Sequence, residues 1–316
     1  MAELFDLRGK RVWVAGETGM VGSSTVRRLA RESCEILSAP RAQLDLMRQH
    51  DVEDFIATQR PDAIVIAAAR VGGILANANA PADFLFDNLA IQSNIIGAAH
   101  RNAVPRLLFL GSSCIYPRLA EQPIVESSLL TGPLEPTNEA YAVAKIAGIK
   151  LIDALRSQHG RDYISAMPTN LYGPGDNFDL KTSHVLPALI RKAHEAKRDG
   201  ATTLTIWGSG TPRREFLHVD DCADALVFLL KRYSASGPIN VGSGSDVSIL
   251  DLARLVSRVV GFAGNIVPDP TKPDGTPRKL LSSERLSALG WHPSIGLEDG
   301  IAALYRWYVA TERESA

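Results

Sequence analysis

The chain has 316 residues, of which 45% are hydrophobic and 22% charged, and its formal net charge is −1 at pH 7. This composition is typical of a globular protein and excludes a disordered chain. The balanced charge gives no reason to expect nucleic acid or an anionic membrane surface as a partner. No apolar run reaches the roughly 18 residues of a membrane-spanning helix, so no membrane partner is expected either.

The N-terminus and the cysteines bear on the cellular compartment. The first residues include acids and lack a continuous apolar segment, which is not the pattern of a secretory signal peptide. Cys34, Cys114 and Cys222 are too few and too scattered for a disulfide framework or a zinc site. We therefore expect a cytoplasmic protein without a metal.

From residue 11 to about residue 173, short β-branched runs alternate with longer amphipathic stretches. The runs predict strands at Arg11–Gly16, Cys34–Ala39, Ala63–Ala69, Arg106–Ser113 and Tyr163–Leu171. The stretches predict helices at Gly22–Arg31, Asp51–Gln59, Pro81–Arg101 and Asn138–His159. Apolar strands that alternate with helices indicate an α/β fold with a Rossmann-type, doubly wound parallel sheet.

This rhythm breaks after Tyr172. The rest of the chain predicts helices at His184–Ala196, Asp220–Tyr233 and Ile249–Gly261, and strands at Leu204–Gly208, Glu215–Val219 and Pro238–Val241. We therefore expect a first domain over residues 1–172 and a second, smaller α/β domain over residues 173–316. Segments near residues 215–243 are candidates for returning to the first domain.

The first predicted strand runs into a glycine-rich loop, Gly16-Glu17-Thr18-Gly19-Met20-Val21-Gly22. Glycines at this spacing permit a tight turn and let backbone N–H groups approach a pyrophosphate, at the positive end of a helix. Alone, such a triplet can simply mark a turn between a strand and a helix. Its position in an N-terminal βαβ unit favours a dinucleotide cofactor held by residues 1–172.

The end of the second predicted strand distinguishes NAD from NADP. NAD-binding folds usually carry an acid there, which takes the ribose 2′-OH. This strand instead ends in Leu37-Ser38-Ala39-Pro40-Arg41, and the Arg41 guanidinium suits a 2′-phosphate. Asp45 is close enough to keep NAD open, although Asp45 and Leu46 are expected beside the adenine. We expect NADP(H) as the cofactor.

Ser112, Tyr141 and Lys145 form a candidate catalytic set. Tyr141 and Lys145 lie four residues apart on one face of a predicted helix, a spacing that is also common on exposed helices. Ser112 stands near the end of the fourth strand, where open α/β sheets bind ligands. We expect Tyr141 to give a proton to a carbonyl oxygen that Ser112 also contacts. Lys145 and an oxidised nicotinamide are expected to lower the pKa of Tyr141, and Lys145 to bind the nicotinamide ribose.

Strand alternation suggests a further member of this set. Residues i and i+2 of a strand point to the same side, so we expect Ser112 and Cys114 to share one face while Ser113 points to the other. Hydride transfer does not need a thiol, and most free cysteines are small buried hydrophobes. The alternative is that Cys114 exchanges protons with the carbons beside the carbonyl.

The order of these motifs resembles the extended short-chain dehydrogenase/reductases that act on nucleotide sugars. Within that group, GSSCIYP, LEPTNEAYAVAKIAGIK, MPTNLYGPGDNF, SHVLPALI, WGSGTPRREFLHVDD and KPDGTPRKLL are similar to segments of the GDP-L-fucose synthases. The resemblance covers nearly the whole chain. It implies an oxidoreductase and epimerase that converts GDP-4-keto-6-deoxy-D-mannose to GDP-L-fucose with NADPH, by 3,5-epimerisation and 4-reduction.

The resemblance also implies roles for individual residues. Ser112, Tyr141 and Lys145 match the reductase set, and Cys114 and His184 match the acid/base pair for epimerisation. The segments that line the cofactor match Leu110, Gly111, Ser112, Ser113, Pro168, Thr169, Asn170, Leu171 and His184. The contacts to the nucleotide sugar match Lys192, Trp207, Arg214 and Asp274. The chain departs from the family in the glycine loop, where a basic residue is often found but Glu17-Thr18 stands here, so that Arg41 carries more of the 2′-phosphate binding.

The resemblance further implies a homodimer. Helices Pro81–Arg101 and Asn138–His159 would form a four-helix bundle with those of a second subunit, although packing on the sheet explains part of their apolar pattern. Two other functions stay open. A related nucleotide-sugar epimerase or dehydratase would keep NAD tightly bound and show no net oxidation. A non-catalytic cofactor sensor tends to lose Tyr141 or Lys145, and both are present.

Overall fold

Strands and helices alternate through the first half of the chain in the computed structural model, which describes residues 3–272 and 274–315. The strands are β1 (Arg11–Ala15), β2 (Glu35–Leu37), β3 (Ala63–Ile66), β4 (Arg106–Leu110) and β5 (Asp162–Pro168). The helices are α1 (Met20–Leu29), α2 (Gln49–Gln59), α3 (Ile74–Asn79), α4 (Pro81–Arg101) and α5 (Glu139–His159). The predicted alternation is confirmed, and α3 is an element that the sequence pattern did not reveal.

The second half contains shorter strands. These are β6 (Asn170–Tyr172), β7 (Thr203–Trp207), β8 (Arg213–His218), β9 (Pro238–Val241), β10 (Asp246–Ser248), β11 (Asn265–Asp269) and β12 (Arg278–Lys279). The helices are α6 (Val185–Arg198), α7 (Val219–Arg232), α8 (Ile249–Val260), α9 (Glu284–Ala288) and α10 (Leu297–Ser315). Within the described ranges, no helix has the length and apolar character needed to cross a bilayer.

The large sheet has six strands in the order β2-β1-β3-β4-β5-β9, and every pair is parallel. Its two faces are covered by separate cores, because successive side chains of a strand point to opposite faces. On β1, Trp13 packs in one core with Ile95 of α4, whereas Val12 packs in the other with Leu226 of α7. The predicted doubly wound sheet is confirmed. Its strand order reverses between β1 and β3, and open α/β sheets bind ligands at such a point.

Two elements of the second half belong to the large sheet. Strand β9 pairs with β5, from Ser165↔Pro238 to Pro168↔Val241, and α7 packs against α1. Strand β8 stays outside, in a small sheet with β6, β10 and β12. The single predicted strand Tyr163–Leu171 is therefore wrong, because the chain leaves the large sheet after Pro168 and pairs with β8 from Asn170 onward. The division of labour between residues 1–172 and 173–316 stays a prediction.

A buried carboxylate joins the two sheets. Glu215 of β8 is 0% exposed, and its side chain accepts hydrogen bonds from the backbone N–H groups of Leu281 (3.0 Å) and Gly244 (2.8 Å). Its carbonyl oxygen accepts a hydrogen bond from the Asn170 amide (2.7 Å). Burial raises the pKa of this carboxyl group. A buried polar group is tolerated only when it is hydrogen-bonded, so Glu215 holds β8 to the segments that follow β9 of the large sheet and β12 of the small one.

Candidate active site

The glycine loop after β1 has the geometry of a dinucleotide cradle. Gly16 has a φ of +89°, and a Cβ atom there would lie 2.7 Å from the Ala68 Cα. A Cβ on Gly22 would collide with the Gly16 carbonyl oxygen. Helix α1 begins at Met20, two residues earlier than expected, and its N-cap residue Gly19 has no side chain to cap it. The first N–H groups of α1 are therefore free to bind an anion, which fits a pyrophosphate.

The end of β2 contains an acid that sequence order did not reveal. Glu17, which is in the glycine loop, accepts hydrogen bonds through Oε1 from the Ser38 hydroxyl (2.7 Å) and the Ala39 N–H (3.2 Å). The expectation that no acid lies at this strand end is therefore wrong. The preceding loop supplies the carboxylate.

The predicted cation and the adenine-side residues follow β2. Arg41 is exposed, and its side chain has no hydrogen-bond or ion-pair partner among residues 3–272 and 274–312. The Asp45 carboxylate accepts the Met47 N–H (3.0 Å), and the Leu46 carbonyl accepts the Asn94 amide (2.9 Å). Asp45 thus stabilises its own turn, while Arg41 remains available to a ligand.

Lys145 is the buried anchor of the predicted catalytic set. Its side chain is 3% exposed, and Nζ donates a hydrogen bond to the carbonyl oxygen of Leu110 (2.9 Å) at the end of β4. The same Nζ lies 4.8 Å from the centre of the Phe109 ring and 5.9 Å from that of Tyr141. Burial lowers the pKa of Lys145 to about 7. The structure therefore brings Lys145 and Tyr141 together at the end of β4, as the motif predicts.

The expectation that Lys145 lowers the pKa of Tyr141 is wrong when only the groups of the protein are considered. Burial raises the pKa of Tyr141, the Cys114 side chain raises it further, and the Ser112 hydroxyl opposes both. Desolvation disfavours the phenolate more strongly than the hydrogen bond from Ser112 favours it. The phenol is consequently held in its protonated form, which is the form that a proton donor needs.

The backbone around Cys114 differs from the expected strand. Strand β4 ends at Leu110, Ser112 is extended, and residues 113–115 form one turn of 3₁₀ helix. The Ser112 hydroxyl accepts the Cys114 N–H (3.3 Å), and Ser113 is buried. The expectation that Ser112 and Cys114 share one face of a strand is therefore wrong, although both affect the pKa of Tyr141. The turn, and not a strand face, places the hydroxyl and the thiol on the same neighbour.

Two residues that the sequence did not single out contact the Cys114 thiol. The Asn138 amide donates to Sγ at 3.2 Å, and the Lys279 Nζ donates at 3.6 Å. Asn138 comes three residues before Tyr141, so the helical spacing was a usable signal. Lys279 comes from a distant segment and gave no such signal. An amide donor and an ammonium group together can stabilise negative charge on the sulfur.

His184 shares Lys279 with the thiol. The histidine is the N-cap residue of α6, but its side chain makes no capping hydrogen bond, so the imidazole is not used to cap the helix. Surrounding protein atoms desolvate the imidazole, although the residue remains in contact with solvent. This desolvation, followed by the charge of Lys279, lowers the pKa of His184. The loop before it is held by a hydrogen bond from Gly73 N to Thr182 O (3.0 Å). A neutral imidazole can accept a proton.

The segments 110–113 and 168–171, which are predicted to line the cofactor, are neighbours at the carboxyl end of the sheet. Gly111 N donates to Ala166 O (2.9 Å), and Thr169 N donates to Val241 O (3.0 Å). Pro168 ends β5, while Asn170 and Leu171 begin β6. These residues therefore lie beside the Ser-Tyr-Lys set, as expected for segments that line a cofactor.

The four predicted substrate contacts form two groups. Lys192 of α6 has its Nζ 5.6 Å from the centre of the Trp207 ring, which is 41% exposed at the end of β7. Lys272, which the sequence did not single out, lies 5.8 Å from the same ring. Desolvation lowers the pKa of Arg214, and the nearby Cys114 and Asp274 side chains partly oppose this by raising it.

Asp274 has a partner of its own. Its carboxylate accepts hydrogen bonds from the Ser209 backbone N–H (2.7 Å) and the Ser209 hydroxyl (2.9 Å). It therefore holds the loop that follows Trp207, the last residue of β7. The structure supports an indirect part for Asp274 in the substrate region as much as a direct contact.

Comparison with known proteins places this site in a family. A profile of the NAD dependent epimerase/dehydratase family matches residues 12–242. The chain belongs to this family. A GDP-L-fucose synthase of Sinorhizobium fredii is 61% identical over 97% of this chain and 98% of its own length. That of Escherichia coli is 52% identical over 96% and 98%, respectively.

Solved structures agree with this assignment. A GDP-L-fucose synthetase from Naegleria fowleri, bound to NADP, superposes with a TM-score of 0.89 at 26% identity. The match covers 99% of this chain and 98% of that one. Within the family, the chain is therefore a member of the GDP-L-fucose synthases.

The low pKa of Lys145 predicts a pH dependence of stability. Burial lowers this pKa from 10.5 to about 7 in the folded protein, so the unfolded chain binds more protons on this group between those values. The free energy of unfolding therefore rises with pH across this window because of Lys145. We expect Lys145→Met to flatten this rise, measured by urea denaturation at about pH 7.5 and about pH 9.5.

Lys150 provides the control for this measurement. It lies on the same helix but is exposed. Lys150→Met should keep the wild-type dependence. Equal slopes for wild type and Lys145→Met would contradict the lowered pKa.

Proposed function

We propose that this protein converts GDP-4-keto-6-deoxy-D-mannose to GDP-L-fucose, by epimerisation at C3 and C5 and reduction at C4. The observation that carries the proposal is the thiol of Cys114 beside the Ser112-Tyr141-Lys145 set, with Asn138 and Lys279 on its sulfur. A simple reductase has no use for such a thiol. The cofactor is NADP(H), which supplies the hydride when bound.

The reductase roles follow from burial and hydrogen bonding. Tyr141 is protonated and gives its proton to the C4 oxygen as that oxygen gains charge. The Ser112 hydroxyl, which acts on the same phenol, donates a hydrogen bond to this oxygen. Lys145, fixed on the Leu110 carbonyl, holds the ribose at the reactive end of the cofactor and replaces the proton of Tyr141.

The epimerase roles need proton exchange on both faces of the sugar. The C4 ketone acidifies the protons on C3 and C5, and the enolate is stabilised by the donors that later assist reduction. Inversion then requires a base on one face and an acid on the other. Cys114 and His184 supply these groups, since a thiol and an imidazole both exchange protons near neutral pH. Lys279 lies beside both groups, because its Nζ donates a hydrogen bond to the Cys114 sulfur and its charge lowers the pKa of His184.

The nucleotide end of the substrate needs cations. Arg214 suits the pyrophosphate, because a largely desolvated guanidinium binds phosphate oxygens strongly. Trp207 offers an exposed ring with Lys192 and Lys272 beside it, which suits packing against the nucleotide. Asp274 holds the adjoining loop.

We also propose a homodimer and a cytoplasmic location. Helices α4 and α5 pack against each other, and each leaves an apolar side chain exposed: Phe86 is 66% exposed and Val143 is 43% exposed. A second copy of this helix pair would cover both in a four-helix bundle. The three cysteines are free, which suits a reducing compartment.

Turnover with Tyr141→Phe tests the reductase assignment. Wild-type protein with NADPH and GDP-4-keto-6-deoxy-D-mannose should oxidise NADPH and yield GDP-L-fucose. Tyr141→Phe removes the proton donor and should lower kcat by about 10²–10⁴-fold, measured by nicotinamide absorbance. Tyr163→Phe, which removes a buried hydroxyl bonded to Val104 O, should keep most of the activity. A folded wild-type protein without turnover would refute the proposed function.

Cys114→Ser tests the epimerase assignment. A serine hydroxyl is far less acidic than a thiol, so solvent deuterium uptake at C3 and C5 should fall by about 100-fold or more. Reduction of the unepimerised ketone should survive, and mass spectrometry with NMR would separate the two activities. Cys34→Ser, a half-buried thiol elsewhere, is the matched control. Deuterium uptake at the wild-type rate in Cys114→Ser would exclude Cys114 as the acid/base group.

Phe86→Glu tests the dimer. A charge in the centre of a helical interface is costly, so the variant should be monomeric where wild type is dimeric. Gel filtration with light scattering measures the mass. Leu119→Glu makes the same kind of change at a residue that is 81% exposed and outside both helices, and it should leave the dimer intact. A dimeric Phe86→Glu variant would place the interface elsewhere.

A further inference from the structure

The carboxylate of Glu17 lies where NAD-binding folds place their ribose-binding acid. Its Oε1 is fixed by the Ser38 hydroxyl (2.7 Å) and the Ala39 N–H (3.2 Å), the two residues that directly follow β2. An acid at the end of this strand hydrogen-bonds the adenosine ribose 2′-OH of NAD. Within the described part of the chain, the second oxygen of Glu17 makes no hydrogen bond, so it is available to a ligand.

This carboxylate is not neutralised by a neighbouring cation. Among residues 3–272 and 274–312, no lysine, arginine or histidine comes within ion-pair distance of Glu17. Arg41, three residues after Ser38, is exposed and also lacks a partner. Two opposite preferences therefore meet at this strand end. The carboxylate favours a hydroxyl that can donate to it and repels a phosphate, whereas the guanidinium attracts a phosphate.

We propose that Glu17 sets the cofactor preference by accepting a hydrogen bond from the ribose 2′-OH of NAD(H) and weakening the binding of a 2′-phosphate. The protein then binds NADH alongside NADPH, instead of rejecting it. This inference rests on the proposed function only in requiring the dinucleotide site. It makes Glu17 a specificity-determining residue and Arg41 its counterweight.

The alternative is that Glu17 merely ties the glycine loop to β2. Glu17→Gln separates the two roles, because the amide oxygen can still accept both hydrogen bonds while the charge is removed. Glu17→Lys reverses the charge and provides a second, independent variant. Glu35→Gln is the matched control, since it removes the same charge at the opposite end of β2, where Glu35 pairs with Arg11 (3.3 Å).

The experiment measures dissociation constants of NADPH and NADH for the cofactor-free protein by nicotinamide fluorescence. Removing one charge beside a phosphate should raise the preference for NADPH about tenfold in Glu17→Gln. The preference should rise further in Glu17→Lys and stay at the wild-type value in Glu35→Gln. The same change with 2′,5′-ADP and 5′-ADP as competitors would locate the effect at the adenosine end.

An unchanged NADPH to NADH ratio in both folded Glu17 variants would overturn the inference and leave Glu17 as a structural tie. Thermal denaturation establishes that each variant is folded. The proposed function fails separately, when a protein that binds both dinucleotides does not turn over the nucleotide sugar. A tenfold shift in binding without turnover would support the role of Glu17 and refute the proposed reaction.

Discussion

The hydrogen bond from Lys145 Nζ to the Leu110 carbonyl organises the whole site. It fastens α5 to the carboxyl end of β4, in a region where an unpaired ammonium would be costly. Tyr141 lies one turn before Lys145 on the same helix, and Ser112 begins the turn that follows Leu110. This buried contact, together with the 3₁₀ turn at Cys114, therefore holds the phenol, the hydroxyl and the thiol near one another. Loss of this contact would disperse groups that are useful only together.

A second constraint acts at the boundary between the large sheet and the small one. Glu215 is fully buried and accepts hydrogen bonds from Gly244, which follows β9 of the large sheet, and from Leu281, which follows β12 of the small one. These bonds hold β8 where the two sheets adjoin. Arg214 precedes Glu215 on the same strand, and β12 with Lys279 pairs beside it. Arg214 and Lys279 thus lie near Cys114, although both come from segments distant from it in the chain. The hydrogen bonds from Gly244 and Leu281 explain why the Glu215 carboxyl group is tolerated in the interior beside these cations.

The features that could be predicted from the sequence are those that a local pattern of residues encodes. The glycine loop, the Tyr141 and Lys145 spacing and the strand-helix alternation all depend on neighbours a few residues apart, and the structure has them where expected. Prediction from the sequence failed where tertiary contacts determine the position of a residue. Glu17 reaches the end of β2 across the fold, Lys279 comes from the far end of the chain, and the 3₁₀ turn at Cys114 ends a strand that the apolar run would continue. No periodicity records such contacts.

The protonation states explain how one pocket can serve two reactions. Burial keeps the Tyr141 phenol protonated and weakens the charge on Lys145, so the carbonyl oxygen meets a donor and not an anion. A donor at that oxygen stabilises an enolate as well as an alkoxide, because both place negative charge on the same atom. Epimerisation therefore needs only acid and base groups above and below the ring, and the carbonyl need not move between steps. The physical requirement is one fixed oxygen position shared by both transition states.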